Sequence, residues 1–300
     1  IDIASGTTTT FSGSITGAGG LTKTGSGTLT LTGTNTYIGS TTVNGGKLVM
    51  VAGSSLASNQ VTAASGTSLG GSGSLTGHVT VANGATLAPG ASNGTGSLSV
   101  GSLTMHQGST LAVALGAPGA NFQTPGQGTS VSVTGDLALH GVALDISHAS
   151  NFGPGLYRLF DYGGTLTLSM GGLSTSAAGT SLQYITASKQ INLINTQGMT
   201  LNFWNADRQA TSTAQGGGSG TWSNTAPNWT DAQGTVTAAM APQPGFAVFG
   251  GAAGTVTVAS TAGPVQATGL QFAGDGYQLT GDALTLVADA SRPAPVEVRV

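Results

Sequence analysis

The chain has 300 residues, a length that accommodates one large all-β unit or two ordinary domains with buried cores. Glycine supplies 51 residues and Asp, Glu, Lys and Arg together only 6%, so Thr, Ser, Asn and Gln must cover most of the surface. A net charge of −3 and a mean hydropathy of +0.17 exclude a highly charged disordered chain, and seven Lys and Arg provide no basic patch for a nucleic acid.

Small, hydroxyl and β-branched residues alternate at strand period between Gly19 and Met50. Leu29 and Leu31 fall on one face of this segment, and the threonines that flank them fall on the other. Glycines interrupt the run at short intervals. The segment therefore predicts short strands joined by tight turns, and it excludes a helix.

Apolar residues two positions apart recur along the rest of the chain and predict further half-buried strands. The pairs and triplets are Val79 and Val81; Leu98 and Val100; Leu103 and Met105; Leu111, Val113 and Leu115; Val131 and Val133; Leu137 and Leu139; Val142, Leu144 and Ile146; Leu166 and Leu168; Ile191 and Leu193; Val256 and Val258; Leu284 and Leu286; and Val296, Val298 and Val300. Asn-Gly pairs at 44–45, 83–84 and 93–94 supply turns that suit hairpins or the corners of a solenoid.

The strands recur as imperfect repeats whose sequence changes gradually, and no helices lie between them. This organisation favours a solenoid. Its coils of about 20 to 25 residues would stack by parallel pairing, with small and apolar residues inside. The same strands could build a pair of β-sandwiches, and periodicity alone leaves both folds open.

The segment from Gly20 to Leu48 follows the pattern G-L-T-K-x-G-x-G-x-L-x-L-x-G-x-N-x-Y-x-G-x-T-x-V-x-x-G-x-L. It closely resembles the passenger-associated repeat of Gram-negative autotransporters. Residues 68–115 and 130–165 are similar to the passenger coils that follow such a repeat. The resemblance implies a right-handed parallel β-helix, with β-sandwich modules as the alternative. It also implies a passenger segment over residues 1–198 with its repeat at 14–52, and a second passenger module over 199–300 that continues the β-helix.

The resemblance also implies where the segment lies in a longer protein and where in the cell it is displayed. A signal peptide and a C-terminal outer-membrane barrel would lie outside this sequence, and the segment would be displayed at the cell surface or released after cleavage. No apolar run reaches the roughly 20 residues of a membrane helix, so we expect no membrane insertion of this segment. The absence of cysteine fits a chain that crosses an outer membrane unfolded, and it excludes disulfides, thiolate metal sites and cysteine nucleophiles.

Two G-x-S-x-G matches surround Ser68 and Ser92. A hydrolase nucleophile of this type needs a strand-turn-helix context, and no helical segment is predicted. In a chain this rich in glycine and serine the motif also occurs by chance, so neither serine is predicted to be catalytic.

Histidines and carboxylates are few and scattered. His78, His106, His140 and His148 lack metal-ligand spacing and are predicted to be separate surface imidazoles. His140 and His148 are expected on successive strands, where they could share a face. Among ten acidic residues the closest cluster, Asp275 and Asp282, lacks the repeated aspartate of calcium-binding coils. We therefore predict no catalytic residue, no metal site and no cofactor.

Aromatic side chains are the remaining candidates for binding. Trp204, Trp222 and Trp229 could form a surface for stacking on sugars or for adhesion, since their rings supply large contact areas with a polar edge. The alternative is that they fill the interior at a module junction. Tyr37 is a fixed element of the repeat and is expected to pack inside the coils.

The function that the resemblance implies is that of a non-enzymatic stalk or adhesin. Its partners would be identical passengers on neighbouring cells or host-surface glycans and proteins, and its folding would assist its own secretion. A glycan-active enzyme on a β-helix and a carbohydrate-binding module are the alternatives. We expect residues 14–150 to form stacked parallel coils with Leu29, Leu31, Val43 and Leu48 inside.

Overall fold

A computed structural model describes residues 1–90, 96–119, 125–186, 188–196, 200, 202–206, 216–232, 234, 236–289 and 296–300. The described chain is built of β-strands, with one short 3-10 helix at Ser260–Ala262. Hydrophobic side chains form two cores, one within residues 3–193 and a second that is drawn mainly from residues 204–270.

The strands that surround the first core follow one another at short intervals. In chain order they are β1 (Thr8–Phe11), β2 (Leu21–Lys23), β3 (Thr28–Leu31), β4 (Thr34–Asn35), β5 (Thr41–Val43), β6 (Lys47–Met50), β7 (Ser55–Leu56), β8 (Gln60–Ala63), β9 (Ser68–Gly71), β10 (Ser74–Val81), β11 (Thr86–Pro89), β12 (Gly96–Met105), β13 (Thr110–Leu115), β14 (Thr129–Val133), β15 (Leu137–His148), β16 (Gly155–Tyr162), β17 (Leu166–Thr175), β18 (Thr180–Ile185) and β19 (Gln190–Asn195).

Further strands surround the second core. They are β20 (Phe203–Trp204), β21 (Gly220–Trp222), β22 (Trp229–Thr230), β23 (Thr237–Ala238), β24 (Gly245–Phe249), β25 (Thr255–Val258), β26 (Val265–Phe272), β27 (Gln278–Gly281), β28 (Leu284–Leu286) and β29 (Glu297–Arg299).

Strands β1 to β17 stack in parallel as three faces. The first face runs β2, β5, β8, β10, β12, β15 and β17. The second runs β1, β3, β6, β9, β11, β13 and β15. The third runs β4, β7, β10, β12, β14 and β16. This architecture confirms the parallel β-helix, and the β-sandwich alternative is wrong because sandwich sheets pair antiparallel.

The length of a coil grows along the chain. On the first face Leu21 pairs with Thr41, 20 positions later, whereas Leu103 pairs with Leu137, 34 positions later. The expected period of 20 to 25 residues therefore describes the early coils, and later coils accommodate longer loops between strands that remain in register.

The interior consists of ladders of identical or similar side chains. On the second face six leucines stack on successive coils, and the ladder comprises Leu29, Leu48, Leu69, Leu87, Leu111 and Leu144. The first five are at most 1% exposed. Each buried leucine contributes roughly 1.5–3 kcal/mol relative to an exposed one, so the ladder is a major source of stability. The predicted interior positions Leu29, Leu31, Val43 and Leu48 are confirmed.

Turns between strands approach the coil below so closely that some positions accept only glycine. Gly46 has a φ of +61°, and a Cβ there would lie 2.1 Å from the carbonyl oxygen of Gly27. An L side chain at this turn would therefore meet both backbone strain and a steric clash. The Asn44-Gly45 turn that the sequence predicted leads into this corner.

The parallel stack gives way to antiparallel strands at its end. Strand β19 pairs antiparallel with both β16 and β18. Tyr157 and Leu193 on these strands belong to the first core, and Leu156 and Ile194 belong to the second. The antiparallel strands thus separate the two cores and contribute to both.

Parallel pairing resumes around the second core. Strands β20, β24 and β26 form one ladder, which continues to β28 and β29, and β21, β25 and β27 form another. Strands β22 and β23 join antiparallel at the edge of the first of these. Among the described residues, no helix has the length and apolar character needed to cross a membrane.

Candidate functional surface

Five threonines stand in register on the outside of the first face. Parallel pairing places Thr22, Thr42, Thr62, Thr80 and Thr104 on successive coils. Thr22 is exposed and the other four are half-buried. Because neighbouring strands lie about 4.8 Å apart, the ladder presents hydroxyl and methyl groups at a regular spacing. We call this row the threonine ladder.

A second row of hydroxyls lies on the third face. Ser55, Ser74, Ser99 and Ser132 are paired on successive coils, and all four are half-buried. Each hydroxyl can donate one hydrogen bond and accept two, so both rows offer donors and acceptors along the stack. The alternation that predicted strands also produces these rows, because alternate residues along each of these strands point outward.

Charge is almost absent beside these ladders. From residue 1 to residue 135 the sequence has three charged side chains, Asp2, Lys23 and Lys47. Lys23 is fully buried, whereas Lys47 is exposed and stands between Thr28 and Ser68 on the second face. Contacts through this surface must therefore rely on hydrogen bonds and shape, with little help from ion pairs.

Lys23 performs a structural task inside the repeat. Its Nζ donates hydrogen bonds to the carbonyl oxygens of Thr24, Gly25 and Gly45, at 3.0, 2.8 and 2.8 Å. Burial lowers the pKa of Lys23 below its usual value, and the negative charge of Asp2 opposes that shift. The ammonium group ties two successive turns together, a role that sequence reasoning missed because a lone lysine in a polar repeat reads as a surface residue.

Tyr37 packs inside the coils, as expected. It is 2% exposed, and its hydroxyl lies 2.6 Å from Oγ1 of Thr41. Burial raises the pKa of Tyr37, while the hydrogen bond with Thr41 acts in the opposite direction. The tyrosine thus fills part of the interior between β4 and β5.

The candidate nucleophile Ser68 lies on β9, half-buried, between Lys47 and Thr86 in the outward row of the second face. Ser92 lies outside the described residues. The histidines that contact serines do so elsewhere: Nδ1 of His78 lies 2.7 Å from Oγ of Ser102. The described structure therefore places no histidine on Ser68 and builds no nucleophile elbow around it.

The histidines are less scattered than the sequence indicates. His106 and His140 lie on adjacent coils with ring centroids 6.1 Å apart. His140 and His148 both belong to β15, so the expectation that they occupy successive strands is wrong. His148 stacks instead on Phe152, with centroids 5.1 Å apart. The pairing of His106 with His140 was missed because the two are 34 positions apart in the sequence and meet only through the β12–β15 register.

The carboxylates do not assemble. Asp282 accepts hydrogen bonds from the backbone N–H and the hydroxyl of Ser260, at 2.8 and 2.6 Å, and these bonds lower its pKa. Asp275 borders an open depression that Phe272 and Tyr277 also line. Within the described residues, no three of the His, Asp and Glu side chains lie close enough to hold a metal ion together.

The three tryptophans lie at the centre of the second core. Trp204, Trp222 and Trp229 are each fully buried. Trp229 packs edge-on against Trp204 and Trp222, with centroids 5.3 and 5.0 Å apart, and Phe249 touches all three rings. Nε1 of Trp204 donates to the carbonyl of Gly218 at 2.8 Å. The rings therefore offer no exposed face for stacking, and a ligand site in this segment stays a prediction.

These geometric features can be compared with known proteins. The Passenger-associated-transport-repeat family matches residues 21–50, which span β2 to β6 and include Lys23 and Tyr37. The chain is also 42% identical over 302 residues to the adhesin BmaC autotransporter of Brucella suis biovar 1 (strain 1330), an alignment that covers 93% of this chain. This chain is a segment of an autotransporter passenger domain.

The chain spans about 8% of the length of the curated relative that it matches. Membership of this family implies display outside the cell. The fold fits that assignment, because the matched repeat forms consecutive coils of the β-helix and the ladders that leave it continue through β17.

Proposed function

We propose that this passenger segment acts as a non-enzymatic, adhesive stalk at the surface of a Gram-negative cell. The observation that carries the proposal is the continuous β-helix with its nearly uncharged rows of hydroxyls. Host-surface glycans and proteins, or identical passengers on neighbouring cells, are the partners that such a surface suits. The name of the relative, an adhesin, supports this role.

Hydroxyl ladders match the chemistry of a glycan. A sugar presents hydroxyl groups that both donate and accept hydrogen bonds, and a threonine row offers the same two functions with methyl groups beside them. Each such bond contributes only about 0.5–1.5 kcal/mol net, so useful affinity requires many bonds at once. The threonine ladder supplies repetition of this kind.

Stacking of coils also suits a role in secretion. Each coil buries its apolar side chains only against its neighbours, so folding can propagate coil by coil from one end. Coils that fold outside the membrane would hinder the chain from sliding back, and the matched repeat at residues 21–50 is a suitable nucleus. Anchoring would require an outer-membrane barrel elsewhere in the protein.

The adhesive role can be tested by surface display. The segment is fused to a heterologous outer-membrane barrel in a non-adherent strain, and binding to immobilised glycans and cell-to-cell aggregation are measured. A triple variant, Thr42→Val, Thr62→Val and Thr80→Val, removes three ladder hydroxyls while keeping β-branched side chains of similar shape. Adhesion is expected to fall at least several-fold.

A matched triple variant with serine at the same three positions is the control, since it keeps the hydroxyls. Surface level and thermal stability are measured for both variants, so that loss of adhesion is not confused with loss of folding. Unchanged adhesion of a well-displayed valine variant would contradict the proposal. Cleavage of any glycan in the same assay would favour the glycan-active enzyme instead.

A further inference from the structure

Two imidazole rings lie close together at a corner of the β-helix. Met105 pairs with Leu139 in the β12–β15 ladder, so the residues that follow them, His106 and His140, occupy equivalent positions on adjacent coils. Their ring centroids are 6.1 Å apart and their planes are inclined by 30°. From this geometry we propose that His106 and His140 bind a divalent transition-metal ion, a property independent of the adhesive role.

The separation of the rings fits coordination of one ion by both. A zinc–nitrogen bond measures about 2.0–2.1 Å, and a ring nitrogen lies roughly 1.1 Å from its centroid, so two coordinating rings have centroids at most about 6.4 Å apart. At 6.1 Å the pair lies just inside that limit. A modest side-chain rotation would shorten the separation to about 5 Å, the value for a tetrahedral arrangement.

The partner of His140 helps to prepare the site. Nδ1 of His140 lies 2.6 Å from Oγ of Ser169, its neighbour in the β15–β17 ladder. When Nδ1–H donates to this hydroxyl, Nε2 carries the lone pair and is available to a metal ion. A hydrogen bond from the ring nitrogen that does not bind the metal commonly orients a metal-binding imidazole. Ser169 is therefore a positioning residue for the proposed site.

Accessibility and chemistry define the ion. His106 is exposed and His140 is half-buried, so an ion can reach the pair from solvent. In the described part of the chain the ring nitrogens of His106 make no hydrogen bond, so the ring can turn toward an ion, while the backbone of His106 is held by hydrogen bonds with Val81 and Ser109. Imidazoles without carboxylates favour Zn²⁺, Cu²⁺ or Ni²⁺ over Ca²⁺ and Mg²⁺, which need oxygen ligands. Water would complete the coordination shell.

The pair is tested with untagged protein and with Zn²⁺ and Cu²⁺ as probes. Calorimetry measures the stoichiometry and affinity for Zn²⁺, and electron paramagnetic resonance of bound Cu²⁺ reports coordinating nitrogens. We expect one bound equivalent of Zn²⁺ per chain, two histidine nitrogens in the copper spectrum, and no binding of Ca²⁺. His106→Gln and His140→Gln should each weaken the affinity at least tenfold.

Two further variants make the test specific. His148→Gln changes another exposed histidine on the same strand as His140 and should leave the affinity unchanged. Ser169→Ala should weaken the affinity severalfold without removing either ligand, which a merely structural role would not do. Thermal melts confirm that each variant is folded. Absence of an equivalent of bound ion, full affinity in His106→Gln, or equal losses in His148→Gln would overturn the proposal.

Discussion

Leu31 lies at the centre of an inward row, between Phe11 on the coil before and Met50 on the coil after. It is fully buried. Replacement of Leu31 with Asp would place an unpaired carboxylate inside the β-helix, at a cost of several kcal/mol. We expect loss of at least the local coils, measured as a large decrease of the melting temperature.

The neighbouring position provides the control for this change. Thr30 lies on the same strand and points outward, so Thr30→Asp keeps its carboxylate in contact with water. Its effect on the melting temperature should be small. If Leu31→Asp were as stable as Thr30→Asp, the assignment of inner and outer faces would be incorrect.

Lys23 stabilises the repeat through three carbonyl oxygens. Lys23→Met keeps the length and apolar stem of the side chain but leaves these acceptors without the ammonium group. Because a buried polar group without its partner costs about 1–3 kcal/mol, we expect the free energy of unfolding to fall by that order. Urea titration of the variant measures the difference.

Lys47→Met is the matched comparison, since Lys47 is exposed in the same repeat. It should change the free energy of unfolding by no more than a few tenths of a kcal/mol. A Lys23→Met protein that unfolds at the same urea concentration as the parent would show that the three hydrogen bonds contribute nothing to stability.

At the scale of elements, Asp282 connects two coils of the second unit. It follows β27 and accepts two hydrogen bonds from Ser260, which follows β25 on the adjacent coil. Both bonds favour the charged carboxylate and depress its pKa from the usual 3.8. Asp282→Asn should therefore cause a small decrease of the melting temperature at neutral pH.

The pH dependence of this effect has a defined sign. A carboxylate with a depressed pKa stabilises the fold above its unfolded pKa, and that stabilisation disappears as the pH falls through the folded value. The difference between the parent and Asp282→Asn should thus shrink below about pH 3.8. Asp275→Asn, at an exposed position, serves as the control. A difference that is constant between neutral and acidic pH would contradict the role given to the charge.

The elements themselves were largely predictable, because period-2 alternation and glycine turns are local signals. That alternation predicts both the inward position of the ladder leucines and the outward position of the ladder threonines. Which coil pairs with which was not predictable from periodicity, since coils of 20 and of 34 residues give the same local pattern. The prediction of parallel stacking came from the resemblance to a passenger repeat.

Features that arise between distant elements were not predicted. The contact of His106 with His140 depends on a register 34 positions long, and the burial of Lys23 depends on the carbonyl of Gly45 in the next coil. The sequence does not decide whether the tryptophans are buried, because an exposed binding surface and a packed junction between modules use the same aromatic residues. In each case the deciding information is three-dimensional packing.

At the scale of the whole molecule, the scarcity of charge makes a prediction about adhesion. Up to residue 135 the only exposed cationic side chain is that of Lys47, because Lys23 is buried. Salt screens interactions between exposed charges over a Debye length of about 10 Å at 0.1 M, and it acts little on hydrogen bonds between neutral groups. Adhesion should therefore change less than about twofold between roughly 50 mM and 500 mM salt.

Two variants show whether this insensitivity comes from the surface itself. Thr62→Lys introduces one charge into the threonine ladder and should make adhesion depend on salt wherever the partner is anionic. Lys47→Gln removes the exposed cation of residues 1–135 and should leave both adhesion and its salt response unchanged. Steep salt dependence of the parent segment, or loss of adhesion in Lys47→Gln at normal surface level, would mean that charge, and not the rows of hydroxyls, makes the contact.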